Sequence, residues 1–68
     1  MINNIDNLFD YHPPKNDQQE RYEKIRAEFK KLAHFICAHT PASPEQTLAI
    51  RKLKDAQMQT NEAIAVNE

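Results

Sequence analysis

The sequence has no glycine, and its only cysteine is Cys37. Without glycine, the chain lacks the phosphate-binding loops of nucleotide-binding α/β folds and most tight turns between strands. A single cysteine excludes a disulfide within the chain and fits a reducing compartment. No apolar run approaches the roughly 18 residues that cross a membrane, so we expect neither a membrane span nor a signal peptide. The formal net charge of −1 argues against a binder of DNA or RNA polymers, which normally has a strongly basic surface.

The spacing of apolar residues predicts a first long helix. Its amphipathic stripe has steps of three and four residues. The members of this stripe are Tyr22, Ile25, Phe29, Leu32 and Ile36. Asn16 or Asp17 can cap the helix at its start. We expect it to end at His39, because Pro41 keeps Thr40 out of the helical region.

A second helix is predicted directly after this break. Ser43 has the properties of a cap, Pro44 suits the first helical position, and Gln46 closes a capping box. The inward face is expected to alternate small and larger residues, which lets another helix approach closely. Its members are Ala49, Leu53, Ala56, Thr60 and Ala63, flanked by Ile50 and Ile64. Because the connection is short, the two helices should fold back as an antiparallel hairpin.

The N-terminal segment predicts one or two helical turns that begin after Asn3 or Asn4. An extended stretch should follow, because residues before a proline avoid the helical region. The sequence therefore predicts an all-α fold with a single helical-hairpin domain over residues 1–68. Its parts are an N-terminal helix and extended arm over 1–15, a first long helix over 16–39 and a second over 43–66.

Self-association is expected because the chain is small. A domain of this length buries only about 60% of the surface that its unfolded form exposes. A metal is a poor substitute, since His34 and Cys37 have ligand spacing but a structural zinc site needs four ligands. Several apolar residues fall partly outside the hairpin seam and should be covered by other copies of the chain. They are Phe9, Phe35, Leu48, Met58 and Ile64.

No catalytic arrangement is evident in the sequence. His34 and Cys37 have no oxyanion donor or orienting acid placed near them, as nucleophilic catalysis would require. No pair of carboxylates falls in an inferred apolar pocket. We therefore expect no enzymatic activity, no metal and no cofactor.

A cationic pair, Arg26 and Lys30, borders the apolar stripe of the first helix, and two rings, Tyr11 and His12, lie on the proline-bounded arm. Aromatic rings stack on bases for about 1–3 kcal/mol each, and guanidinium groups bind phosphate oxygens, so this set suits a nucleotide. The same residues also have a structural interpretation. The cations can be side chains that extend along the surface, and Tyr11 can anchor the arm against the hairpin.

Three segments resemble a known family. They are residues 7–14 (NLFDYHPP), 40–50 (TPASPEQTLAI) and 61–65 (NEAIA). Together they are similar to the phage anti-CBASS type 2 cyclic-nucleotide sponge family, whose helical hairpin is shared with the anti-Thoeris type 1 sponge. The resemblance covers nearly the whole chain, and its specificity comes from the combination of the arm with the proline–serine elbow.

The resemblance implies a homohexamer of interlocked hairpins that holds cyclic dinucleotides, such as cyclic GMP–AMP, in pockets between protomers. Sequestration without cleavage would block CBASS immunity in the cytoplasm of the infected bacterial host. Tyr11 matches the family's stacking tyrosine, and Arg26 matches its phosphate-binding cation. His12 and Lys30 are added on geometry alone.

The chain also departs from the family pattern. Relatives often carry an aromatic residue where this chain has Gln59 and Thr60. In the family, cyclic trinucleotides occupy a second pocket that uses basic residues near the three-fold axis, and Val66 lacks such a charge here. The alternative function is that of a small oligomeric helical adaptor, which would bind another protein through its N-terminal arm.

Overall fold

A computed structural model describes residues 5–68 of the chain. It contains three helices, α1 (Ile5–Phe9), α2 (Gln18–His39) and α3 (Pro44–Asn67). No strand occurs among the described residues, so the predicted all-α class is confirmed. Asn3 and Asn4, after which the short N-terminal helix was predicted to begin, lie outside the described residues. No helix in the described part of the chain is both long enough and apolar enough to cross a membrane.

Helix α2 begins without the side-chain cap that the sequence predicted. Asp17 occupies the N-cap position, but its carboxylate makes no capping hydrogen bond. It pairs instead with Arg21, with Oδ2 3.3 Å from Nε. Asn16 adopts a left-handed conformation with φ of 57°, which asparagine tolerates better than most residues. Asp17 therefore supports the helix start through its charge and its ion pair.

The start of α3 confirms the predicted cap. Ser43 has an extended backbone, and its hydroxyl accepts a hydrogen bond from the Gln46 backbone N–H at 3.1 Å. Pro44 occupies the first turn, as predicted. The Gln46 side chain does not close a capping box. Its amide donates to the carbonyl and the hydroxyl of Thr40, at 3.1 and 3.0 Å, and so joins the start of α3 to the end of α2.

The face that α3 turns toward α2 agrees with the predicted one in part. Ala49, Ala56 and Ala63 are exposed, so the prediction of a closely packed small-residue seam is wrong. Of the predicted inward positions, Leu53 and Thr60 are half-buried, and so are Ile50 and Ile64, which were expected to flank them. Gln57 is half-buried as well. The physical reason is that isoleucine and leucine remove more apolar surface from water than alanine does.

The arm and α1 lie against the open end of the hairpin. The Asn7 side-chain amide donates to the Val66 carbonyl at 3.1 Å. The Lys15 ammonium donates to the Glu68 main-chain oxygen at 2.7 Å. These contacts connect residues more than fifty positions apart in the sequence. They place the arm beside the last turn of α3.

The hairpin is a single layer without a buried apolar core. Among residues 5–68, no apolar side chain is fully buried. The Cα atoms extend over 41 × 31 × 13 Å with a radius of gyration of 14.9 Å. A compact domain of this length would have a radius of gyration of about 11 Å. Of the residues expected outside the seam, Phe9, Phe35, Leu48 and Met58 are exposed, whereas Ile64 is half-buried.

Candidate functional site

A groove between α2 and α3 brings together two of the predicted site residues. Arg26 and Lys30 lie one helical turn apart on α2, and both line this groove, which has a volume of about 190 Å³. The side chains beneath them are half-buried and apolar. They are Phe29 and Ala33 from α2, with Ile50 and Leu53 from α3. The groove therefore offers cations beside an apolar surface.

Helix α3 adds two polar residues to the same groove, Lys54 and Gln57. Sequence reasoning missed both, because it centred the inward face of α3 on alanines. With the observed face, Lys54 follows Ile50 by four residues and borders the seam. No carboxylate lines the groove. The amphipathic pattern would have revealed Lys54 had Ile50 been placed at the centre of the face.

His12 lines a different concavity, of about 450 Å³, at the open end of the hairpin. Its other lining residues are Tyr22 from α2 with Met58, Asn61, Glu62 and Ala65 from α3. The ring Nε2–H donates to the Asn7 carbonyl at 2.5 Å, which fixes the orientation of the imidazole. This concavity is chemically mixed, since it combines a carboxylate, an amide and two aromatic rings.

Tyr11 has an exposed fraction of 82% and lines neither of these concavities. The described chain thus brings Arg26 and Lys30 together and places Tyr11 and His12 elsewhere. Within one chain the four residues do not form a single site. Their roles in binding stay a prediction.

An apolar groove of about 440 Å³ lies on the outer side of α2, formed by Phe29, Leu32 and Phe35 between Glu28 and Lys31. Leu32 and Phe35 are 45% and 58% exposed. Among residues 5–68, no three His, Cys, Asp or Glu side chains are grouped as a metal site requires.

A family model described as "Acb2/Tad1, hairpin domain" matches residues 1–65. No curated protein and no solved structure matches the chain. The matched family is one of binding proteins, the anti-CBASS type 2 and anti-Thoeris sponges, so the resemblance found in the sequence is confirmed. The matched range includes the arm, the elbow and nearly all of α3. This chain therefore belongs to the Acb2/Tad1 hairpin-domain family.

Proposed function

We propose that this protein binds cyclic oligonucleotide second messengers and sequesters them without cleavage. The ligands are cyclic dinucleotides such as cyclic GMP–AMP, and the setting is the cytoplasm of an infected bacterial host, where their removal blocks CBASS immunity. The observation that carries the proposal is the family match over residues 1–65.

The charge distribution supports a phosphate ligand. The chain has a net charge of −1, yet the groove between α2 and α3 is lined by cations and by no carboxylate. A cyclic dinucleotide carries two phosphates, and Arg26 and Lys30 can bind one of them by charge-assisted hydrogen bonds. Local convergence of a few cations allows a mildly acidic protein to hold a dianion.

The position of Tyr11 supports a pocket shared between protomers. Its exposed ring offers a face on which a base can stack, for about 1–3 kcal/mol. Within one chain it lies outside the groove that contains Arg26. We propose that a pocket using both residues takes them from two chains. A two-fold interface would supply each residue twice, once for each half of the ligand.

The absence of a buried apolar side chain in residues 5–68 supports self-association. We propose a homo-oligomer, and specifically the hexamer that the family resemblance implies. The apolar groove of Phe29, Leu32 and Phe35 on α2 is available for a second copy of the chain. Light scattering on the ligand-free protein measures the number of subunits.

Thermal melting with a panel of cyclic dinucleotides tests the binding function. A ligand at about 100 times its dissociation constant stabilises the folded state by about 2.7 kcal/mol, which raises the melting temperature. Chromatography of the released ligand should recover it intact. The rival function, an adaptor that binds protein through its arm, predicts no stabilisation by any nucleotide in the panel. We expect a cyclic trinucleotide to bind more weakly than a cyclic dinucleotide. In the family its pocket uses basic residues, and Val66 supplies no such charge here.

A further inference from the structure

Three cationic side chains from two helices converge on the groove between α2 and α3. Arg26 and Lys30 come from α2, and Lys54 comes from α3. Within residues 5–68, the lysine and arginine side chains that form ion pairs are Arg21 and Lys24, so none of these three is neutralised by a salt bridge. Like charges that line one groove disfavour each other, and a bound anion would be attracted to all three.

The surroundings of these cations strengthen their attraction for an anion. The groove receives four residues from each helix, and four of the eight are half-buried and apolar. An apolar wall keeps water away on one side and lowers the effective dielectric constant, which increases the force between charges. Gln57 adds a half-buried amide that can donate a further hydrogen bond.

The size of the groove limits what it can hold. Pockets that enclose a whole small-molecule ligand measure about 300–1,000 Å³. The groove has about 190 Å³, so it is too small for an entire cyclic dinucleotide. It suits one phosphate with part of the attached sugar, while the bases lie outside it.

We propose that Lys54 is a ligand-binding residue that contacts the same phosphate as Arg26 and Lys30. Both helices of the hairpin then contribute to one anion site. This inference rests on the proposed function and adds to it a residue on α3 that neither the family resemblance nor the sequence assigned.

The test compares Lys54→Gln with a matched control, Lys52→Gln. Both changes remove one positive charge from the exposed surface of α3, but Lys52 lies about 160° away around the helix and does not line the groove. Calorimetric titration with cyclic GMP–AMP at about 0.15 M ionic strength should give an affinity about tenfold or more lower for Lys54→Gln. The control should bind within about twofold of the parent, since a distant exposed charge is screened.

Further measurements separate binding from folding and test whether the phosphate is shared. Lys54→Arg keeps the charge and should retain most of the affinity. Without ligand, Lys54→Gln should melt no lower than the parent, because it removes one of three repelling charges. In a double-mutant cycle with Arg26→Gln, the two losses should not be additive, since both side chains contact one phosphate.

Each outcome decides the inference. If Lys54→Gln binds cyclic GMP–AMP as tightly as Lys52→Gln does, Lys54 is a solvated side chain and only this inference fails. Additive losses in the double-mutant cycle would overturn the shared phosphate. If the parent protein binds no member of the cyclic dinucleotide panel, both the proposed function and this inference fail.

Discussion

At the scale of single residues, Tyr11 and Arg26 carry different parts of the proposed recognition. Tyr11 offers an exposed ring, and Arg26 offers a guanidinium beside the apolar floor of the groove. We expect Tyr11→Ala and Arg26→Ala each to weaken cyclic GMP–AMP binding about tenfold or more, through the loss of base stacking and of charge-assisted hydrogen bonds respectively. Calorimetry measures the affinity, and light scattering should find the same oligomer in both variants. Parent-like affinity in both variants would show that the site lies elsewhere.

Glu68 is the residue that closes the open end of the hairpin. Arg21 donates two hydrogen bonds to its carboxylate, one of them from Nη1 to Oε2 at 3.0 Å. The Gln18 amide donates to the same carboxylate at 3.4 Å, and Gln18 is itself buried, with 4% exposure. The hydrogen bonds from Arg21 lower the pKa of Glu68 and raise the pKa of Arg21. The ionised carboxylate therefore stabilises the folded chain.

The lowered pKa of Glu68 predicts a pH-dependent contribution to stability. A carboxylate of this kind contributes fully above its ordinary value of 4.5, and the contribution is lost as the pH falls through its folded value. The pKa of Arg21 is raised, so its contribution is fully present below its ordinary pKa and stays constant through the acidic and neutral range. We expect Glu68→Gln to melt below the parent at neutral pH and to approach it as the solution becomes acidic. A melting difference that is constant between about pH 7 and pH 3 would contradict this assignment.

At the scale of helices, the hydroxyl of Ser43 defines where α3 begins. Its removal in Ser43→Ala leaves the Gln46 backbone N–H without its partner at 3.1 Å, and should cost about 1 kcal/mol of stability. Ser43→Asp keeps an acceptor for this hydrogen bond and should retain most of the parent's stability. Urea denaturation at a fixed protein concentration measures the effect. Thr47→Ala, an exposed change in the same first turn, is the control, and equal stability of the two alanine variants would refute the capping role.

The helix starts and the helix faces differ in how far the sequence determines them. The cap of α3 was predictable because its donor and acceptor lie three residues apart, at Gln46 and Ser43. The inward face of α3 was not, since apolar and small residues occupy two neighbouring stripes and only packing against α2 selects between them. Because of this packing, Ala49 is exposed at the surface and Lys54 lines the groove. The cluster around Glu68 depends on where the arm runs, which local patterns do not specify.

At the scale of the whole molecule, the shape of the chain argues for assembly. Its Cα atoms span 13 Å in the thinnest direction, about one helix layer, so each helix has one side without a neighbour. Large apolar residues remain on those sides, among them Leu32, Phe35, Leu48 and Met58. Leu32 and Phe35 share one apolar groove, and an exposed apolar patch of this kind is typical of a contact surface.

If the ligand pocket lies between protomers, a change that prevents assembly should abolish binding even though all the proposed contact residues remain. Leu32→Asp places a charge in the apolar groove of α2, where contact with a second chain would bury it at a high cost. We expect this variant to have a smaller mass by light scattering and no detectable affinity for cyclic GMP–AMP. The melting temperature of the parent should rise with its concentration, because assembly stabilises the folded chain. Lys52→Asp introduces the same side chain at an exposed position outside the grooves and should keep both the oligomer and its binding. A monomeric Leu32→Asp variant that still binds with parental affinity would place the whole pocket within one hairpin. Tyr11 is exposed and does not line the groove of Arg26 within one chain, so we expect the pocket to need both protomers.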